Sequence, residues 1–183
     1  MPPAFPKRDF VITKFGADGR RVNIPCENIV IRNCHFKAGH GGVTAGSETA
    51  ARIRNVFAEK CNFDSPDLKM ALRLKTNPRR GRFIENFFAR DCTVDTAVTG
   101  IHITMIYDKV TAGETIPRIR HVDIRNVTFV KLEQAIVIEE LSEKTKVTSV
   151  TIANCDFKNT NKKSEITHAN RVRLIHVDGT GLE

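Results

Sequence analysis

The sequence predicts an all-β fold, a right-handed parallel β-helix, on two observations. A nine-residue phrase recurs at intervals of roughly thirty residues, and inside each copy apolar and polar residues alternate with period two. After its first residue the phrase reads apolar, any, apolar, any, Asn or Asp, small apolar or Cys, any, Phe or Val. Long-period repetition of this kind marks a solenoid, in which each turn buries its apolar face only against its neighbours.

The copies justify the elements in order. The first runs from Asn28 to Phe36, the second from Asn55 to Phe63, and the third from Asn86 to Val94. The fourth runs from His121 to Phe129 and the fifth from Ser149 to Phe157, with a degraded sixth around Arg171 to Val177. In each, alternation puts Val or Ile on one face and Arg, Thr or Asn on the other, which is the pattern of strands. The nearest approach to a helical stripe, Leu132 to Ile136, leads into the β-branched run Ile136-Val137-Ile138 and is read as strand. Gly39, Gly41, Gly42 and Gly46 permit sharp turns, and Asn77 to Gly81 and Thr111 to Thr115 read as loops. No linker divides the chain, so residues 1–183 are expected to form a single domain.

Cys34, Cys61, Cys92 and Cys155 occupy one slot of the repeat, with Val127 in the fourth copy. One slot per turn predicts an interior ladder of small buried groups with no redox role. The five cysteines include Cys26 and contain no CxxC pair, so neither a zinc site nor a thioredoxin-like motif is expected. The residue before the slot (Asn33, Asp91, Asn126, Asn154) suits a bend whose side chain bonds backbone groups.

With 40% hydrophobic and 27% charged residues, the 183-residue chain is too polar for a bilayer span, and Met1 to Arg8 lacks a signal-peptide core. It therefore reads as soluble, with no membrane partner. A formal net charge of +8 favours a polyanion. The basic residues are scattered among short apolar segments without an aromatic stacking platform, which argues against nucleic acid and leaves an acidic polysaccharide. No cofactor or metal is implied.

Two motifs carry chemistry. Gly39-His40-Gly41-Gly42, with Gly46-Ser47-Glu48, is followed one repeat later by Ala71-Leu72-Arg73-Leu74-Lys75-Thr76-Asn77 and then Gly81-Arg82-Phe83-Ile84-Glu85-Asn86. In a strand Arg73 and Lys75 share the outer face while Leu74 points inward. A guanidinium can grip a carboxylate bidentately and an ammonium adds a point charge.

From about Val22 to the C-terminus the chain resembles the polygalacturonase family (glycoside hydrolase family 28), particularly its bacterial exo-acting members. The resemblance implies hydrolysis, with inversion, of the α-1,4-galacturonosyl linkages of pectin by proteins that are often secreted or periplasmic. It makes His40 the signature histidine near the catalytic acid and Arg73 and Lys75 the pair that binds the substrate carboxylate. Gly39 and Gly41 belong to the same substrate-binding turn. His35, His102, His121, His168 and His176 have no such context and are read as surface or packing residues, and Glu48 as a partner for a neighbouring basic group.

The family's aspartate motifs, Asn-Thr-Asp and Asp-Asp, are absent from the sequence; where the pair is expected, the chain reads Gly16-Ala17-Asp18-Gly19-Arg20-Arg21. Inversion needs one carboxyl as acid and another as base. Arg8 to Ala17 looks like the family's opening strand, so residues 1–20 are read as an N-terminal strand or cap and residues 21–183 as coils. An internal deletion near Asp18-Gly19 would join the two, giving a truncated helix whose exposed end invites self-association. Two other readings follow: a non-catalytic β-helix that binds pectic polyanions, and a β-eliminating lyase, whose calcium cluster of acids is not evident.

Overall fold

The computed structural model describes residues 24–142, 145, 147–167 and 172–182. Twelve strands form one sheet in which every strand-to-strand pairing is parallel. The first coil holds β1 (Cys26–Arg32), β2 (His35–Phe36) and β3 (Val43–Ala45). The second holds β4 (Ile53–Glu59), β5 (Asn62–Asp64) and β6 (Met70–Lys75). The third and fourth are continuous strands, β7 (Phe83–Thr104) and β8 (Arg118–Glu139). The fifth holds β9 (Thr148–Phe157), β10 (Thr160–Lys162) and β11 (Glu165–Ile166), and β12 (Val172–Gly179) lies on β9. The all-β parallel β-helix is the expected fold. Among the described residues the only helical element is a three-residue 3-10 turn at Tyr107–Lys109, and no described helix is long and apolar enough to cross a membrane.

Register explains why the repeat looks as it does. Ile29, Val56, Phe87, Val122, Val150 and Val172 stack as one interior row, and Phe36, Phe63, Val94, Phe129 and Phe157 as another. Phe129 and Phe157 stack at 4.3 Å between ring centres and Phe36 and Phe63 at 4.8 Å. Phe63, Phe87, Phe129 and Phe157 have no solvent-exposed surface. Each such side chain stabilises the stack by about 1.5–3 kcal/mol of apolar transfer.

A strand as long as β7 or β8 stays within the coil because it turns corners through left-handed residues. Asn86 (φ 56°) and Asp91 (φ 54°) bend β7, and His121 (φ 54°) and Asn126 (φ 53°) bend β8. Asn and Asp tolerate this conformation better than other residues with a Cβ. The expectation that these side chains bond backbone groups is corrected at one corner: they bond one another up the stack, Asn126 Nδ2 to Asp91 Oδ1 (2.9 Å) and Asn154 Nδ2 to Asn126 Oδ1 (3.2 Å). A second ladder, from Asn86 to Asn55 (2.8 Å) and Asn55 to Asn28 (2.9 Å), was unanticipated; His121 caps it, with Nδ1 3.3 Å from Asn86 Oδ1.

The cysteine slot behaves as predicted in three copies: Cys61, Cys92 and Cys155 are buried, and burial pushes the Cys92 thiol up to about 11. Cys34 departs from the prediction and is exposed. Its coil is the first described one, stacked on one side by the second coil, so the interior position there lacks a described cover. The opening-strand, cap and deletion readings at residues 1–20 fall outside the described residues, as does His168.

Candidate functional site

The site is built on β6. Leu72 and Leu74 are fully buried, which turns the half-buried side chains of Arg73 and Lys75 to the outer face. Arg73 stands in register between Thr44 of β3 and His102 of β7. Lys75 stands beside Thr104, which in turn lies beside Glu139 of β8. The stack therefore brings together residues from four coils that are about thirty residues apart in sequence.

The loop that follows β7 closes over this row. Tyr107 N donates to Thr76 O (3.1 Å), and Asn77 Nδ2 donates to Tyr107 O (2.8 Å). The Asn77 side-chain Oδ1 meanwhile accepts from the backbone N–H groups of Arg79 (3.0 Å) and Arg80 (2.9 Å). Buried Asn77 thus ties the loop after β6 to the loop after β7. The result places the Tyr107 ring under both cations, 4.5 Å from Lys75 Nζ and 5.6 Å from Arg73 Cζ. Each contact is worth about 0.5–2 kcal/mol, rising as the cation loses water.

Burial lowers the Arg73 pKa, and it also lowers that of Lys75, where the positive charges of Arg73 and Arg80 push in the same direction. Among the described residues no carboxylate lies within ion-pair distance of either group. An open cleft of about 370 Å³ is lined by Arg73, His102, Thr104, Tyr107, Asp108 and Glu139 among others; Lys75, two residues along β6 from Arg73, is not one of the lining groups. Across it His102 Nε2 is 3.4 Å from Glu139 Oε2, and the bond from His102 holds the Glu139 carboxyl below its ordinary range.

The Gly-His-Gly turn lies on the neighbouring coil. The His40 carbonyl accepts from Arg73 Nη1 at 3.4 Å, while the residue itself is exposed and is not among the groups lining the cleft. Gly41 sits where a Cβ would come within 2.1 Å of Thr44 Oγ1 and 3.5 Å of Arg73 Cδ, so its lack of a side chain makes room for the β3 and β6 rows. Gly39 adopts φ 124°, a conformation that glycine alone takes readily, and bridges to Leu68. Glu48 lies 3.4 Å from Arg80, a loose pair at the cleft's rim.

Three groups escaped the sequence reading: His102, taken for a surface or packing residue, and Tyr107 and Glu139, not singled out. Their signal was positional. His102 falls one repeat after Arg73, and the interval between the third and fourth copies is lengthened by the segment that carries Tyr107. Among the described residues no group of three His, Cys, Asp or Glu side chains converges as a metal site would.

Comparison with known families gives a match to the model described as glycosyl hydrolases family 28, over residues 13–176. No curated protein matches the chain significantly.

Proposed function

Because the chain belongs to glycosyl hydrolase family 28, we propose that it is a polygalacturonase-type glycoside hydrolase whose described cleft grips the galacturonate units of pectin at α-1,4 linkages. The observation that carries this reading is the pair of cations, Arg73 and Lys75, held over Tyr107 without an ion-pair partner among the described residues, with Arg73 lining an open cleft. Galacturonate supplies one carboxylate per sugar, the charge that such a pair lacks. Arg73 binds it bidentately, Lys75 adds a point charge, and the Tyr107 ring keeps both side chains from folding into solvent. His40, with Gly39 and Gly41, is assigned to the same subsite from the neighbouring coil.

A second reading, binding without turnover, is favoured by one observation. Inverting hydrolysis needs a protonated carboxyl to donate to the leaving oxygen. Glu139, in the cleft, is held ionised by His102, the wrong direction for that task.

Incubation with polygalacturonate, followed by detection of new chain ends and by affinity electrophoresis, separates the two. Turnover that disappears in His40→Ala and Arg73→Ala supports the hydrolase. Retardation that Arg73→Ala abolishes, with no new chain ends, supports the binder. Absence of both overturns the assignment of the cleft.

A further inference from the structure

We propose that Glu139, positioned by His102, is a second substrate-binding residue of this cleft, accepting hydrogen bonds from ring hydroxyls of the uronate whose carboxylate Arg73 and Lys75 hold. The inference rests on the reading of the cleft as a galacturonate site.

A uronic acid presents two kinds of group: an anion, which needs donors, and ring hydroxyls, whose hydrogens need acceptors. Arg and Lys only donate and an ionised carboxylate only accepts. Arg73, His102 and Glu139 all line the cleft. Arg73 is on β6 and Glu139 on β8, with β7 between them, so at least two strand spacings, about 10 Å of sheet, separate their backbones. His102 of β7 stands between them, in register with Arg73 and 3.4 Å from Glu139, and the cleft's volume lies within the range of small-ligand sites.

Glu139 also differs from the three glutamates on the face built by β1, β4 and β7. Glu27, Glu59 and Glu85 are each tied to arginine. Glu139 meets an imidazole, and its side chain retains 37% of its exposure. His102 is an outward-facing residue with only 9% exposure, and its Nδ1 has no hydrogen-bond partner; neither has Nε of Arg73, its register neighbour. Buried polar groups are nearly always satisfied, so two adjacent orphans beside one cleft mark a place where polar groups are held for a ligand. His102 fixes the Glu139 carboxylate through Nε2 and keeps it in the accepting, ionised form.

Titration calorimetry with trigalacturonate, and with the same oligomer O-acetylated at its ring hydroxyls, tests the inference. Wild type is expected to prefer the unsubstituted oligomer by about tenfold, the value of one charge-assisted hydrogen bond. Glu139→Gln, near-isosteric, should lower affinity for the unsubstituted oligomer about tenfold and erase the preference. Glu139→Asp, which retracts the charge by one methylene, serves as a second variant if the first is unstable. His102→Ala should erase the preference too, and His102→Gln, which keeps a donor toward Glu139, should restore part of it. Wild-type affinity and preference in both Glu139 variants, with binding lost in Arg73→Ala, would overturn the inference while leaving the cleft assignment intact. Failure of wild type to bind either oligomer would overturn both.

Discussion

On the face built by β1, β4, β7 and β8, outward cations meet acids on the next coil: Glu27 with Arg54, Glu85 with Arg120, and Glu59 between Arg32 and Arg90. On the face carried by β6, Arg73 and Lys75 lie over Tyr107 with no described carboxylate at ion-pair distance. The pKa directions are opposite. Hydrogen bonds donated to acids raise the pKa values of Arg54 and Arg90, whereas burial lowers those of Arg73 and Lys75. In a parallel stack equivalent side chains recur about 4.8 Å apart, so a row of like charges repels itself unless signs alternate or neutral residues intervene. On the first face each of these arginines meets an acid, Arg125 beside Arg90 taking Asp123 of its own strand, and the face neutralises itself. Its cleft of about 360 Å³, floored by Val30, Phe57 and Phe88, therefore offers little uncompensated charge. The second face separates its cations with Thr44, His102 and Thr104, which limits repulsion and leaves the charge available to an anion.

The contrast can be broken most directly at Arg73. Arg73→Ala should weaken oligogalacturonate binding by about a hundredfold in calorimetry, at the upper end for a charge-assisted bidentate contact, with a modest fall in melting temperature from the lost contacts to Tyr107 and the His40 carbonyl. Converting the unpaired face into a paired one is the next largest effect. Thr44→Glu places an acid beside Arg73 in register and should cost about tenfold in affinity, through competition for the guanidinium, without destabilising the fold.

Lys75 sharpens the comparison through pH. Its pKa is lowered, so it loses its proton before reaching the ordinary lysine value of 10.5, and affinity should decline on the alkaline side below that value. Lys75→Arg should extend binding to higher pH, which a titration series checks.

The smallest effect belongs to the paired face. Glu59→Gln should lower the melting temperature modestly and leave binding unchanged. The Glu59 pKa is lowered, chiefly by its bond from Arg90, so its contribution is present above the unfolded glutamate value and lost as pH falls through the folded one. Wild type and variant should therefore converge in stability well below pH 4.5, as thermal melts at acid pH would show.

The interior of the stack was legible residue by residue, because a solenoid writes each buried row into the sequence at a fixed slot. Phe63, Phe129 and Phe157 could be assigned to one row, and Cys61, Cys92 and Cys155 to another, without coordinates. Cys34 was misread because the slot says which way a side chain points and not whether another coil covers it. Arg73 and Lys75 were found through their motif and their shared strand face. His102 and Glu139 were not, since each is unremarkable within its own copy and acquires meaning only from what stacks above and below.

The sequence by itself determined the coil, its period, which face of each strand is buried and the two cations that face outward. All of these follow from alternation and repetition along one chain. Tertiary structure alone decided that Tyr107 lies under both cations, that Asn77 ties the two loops together, and that Arg73, His102 and Glu139 line one cleft. Those contacts join residues on different coils and in loops of unequal length, where neither local propensity nor the repeat fixes which side chains meet.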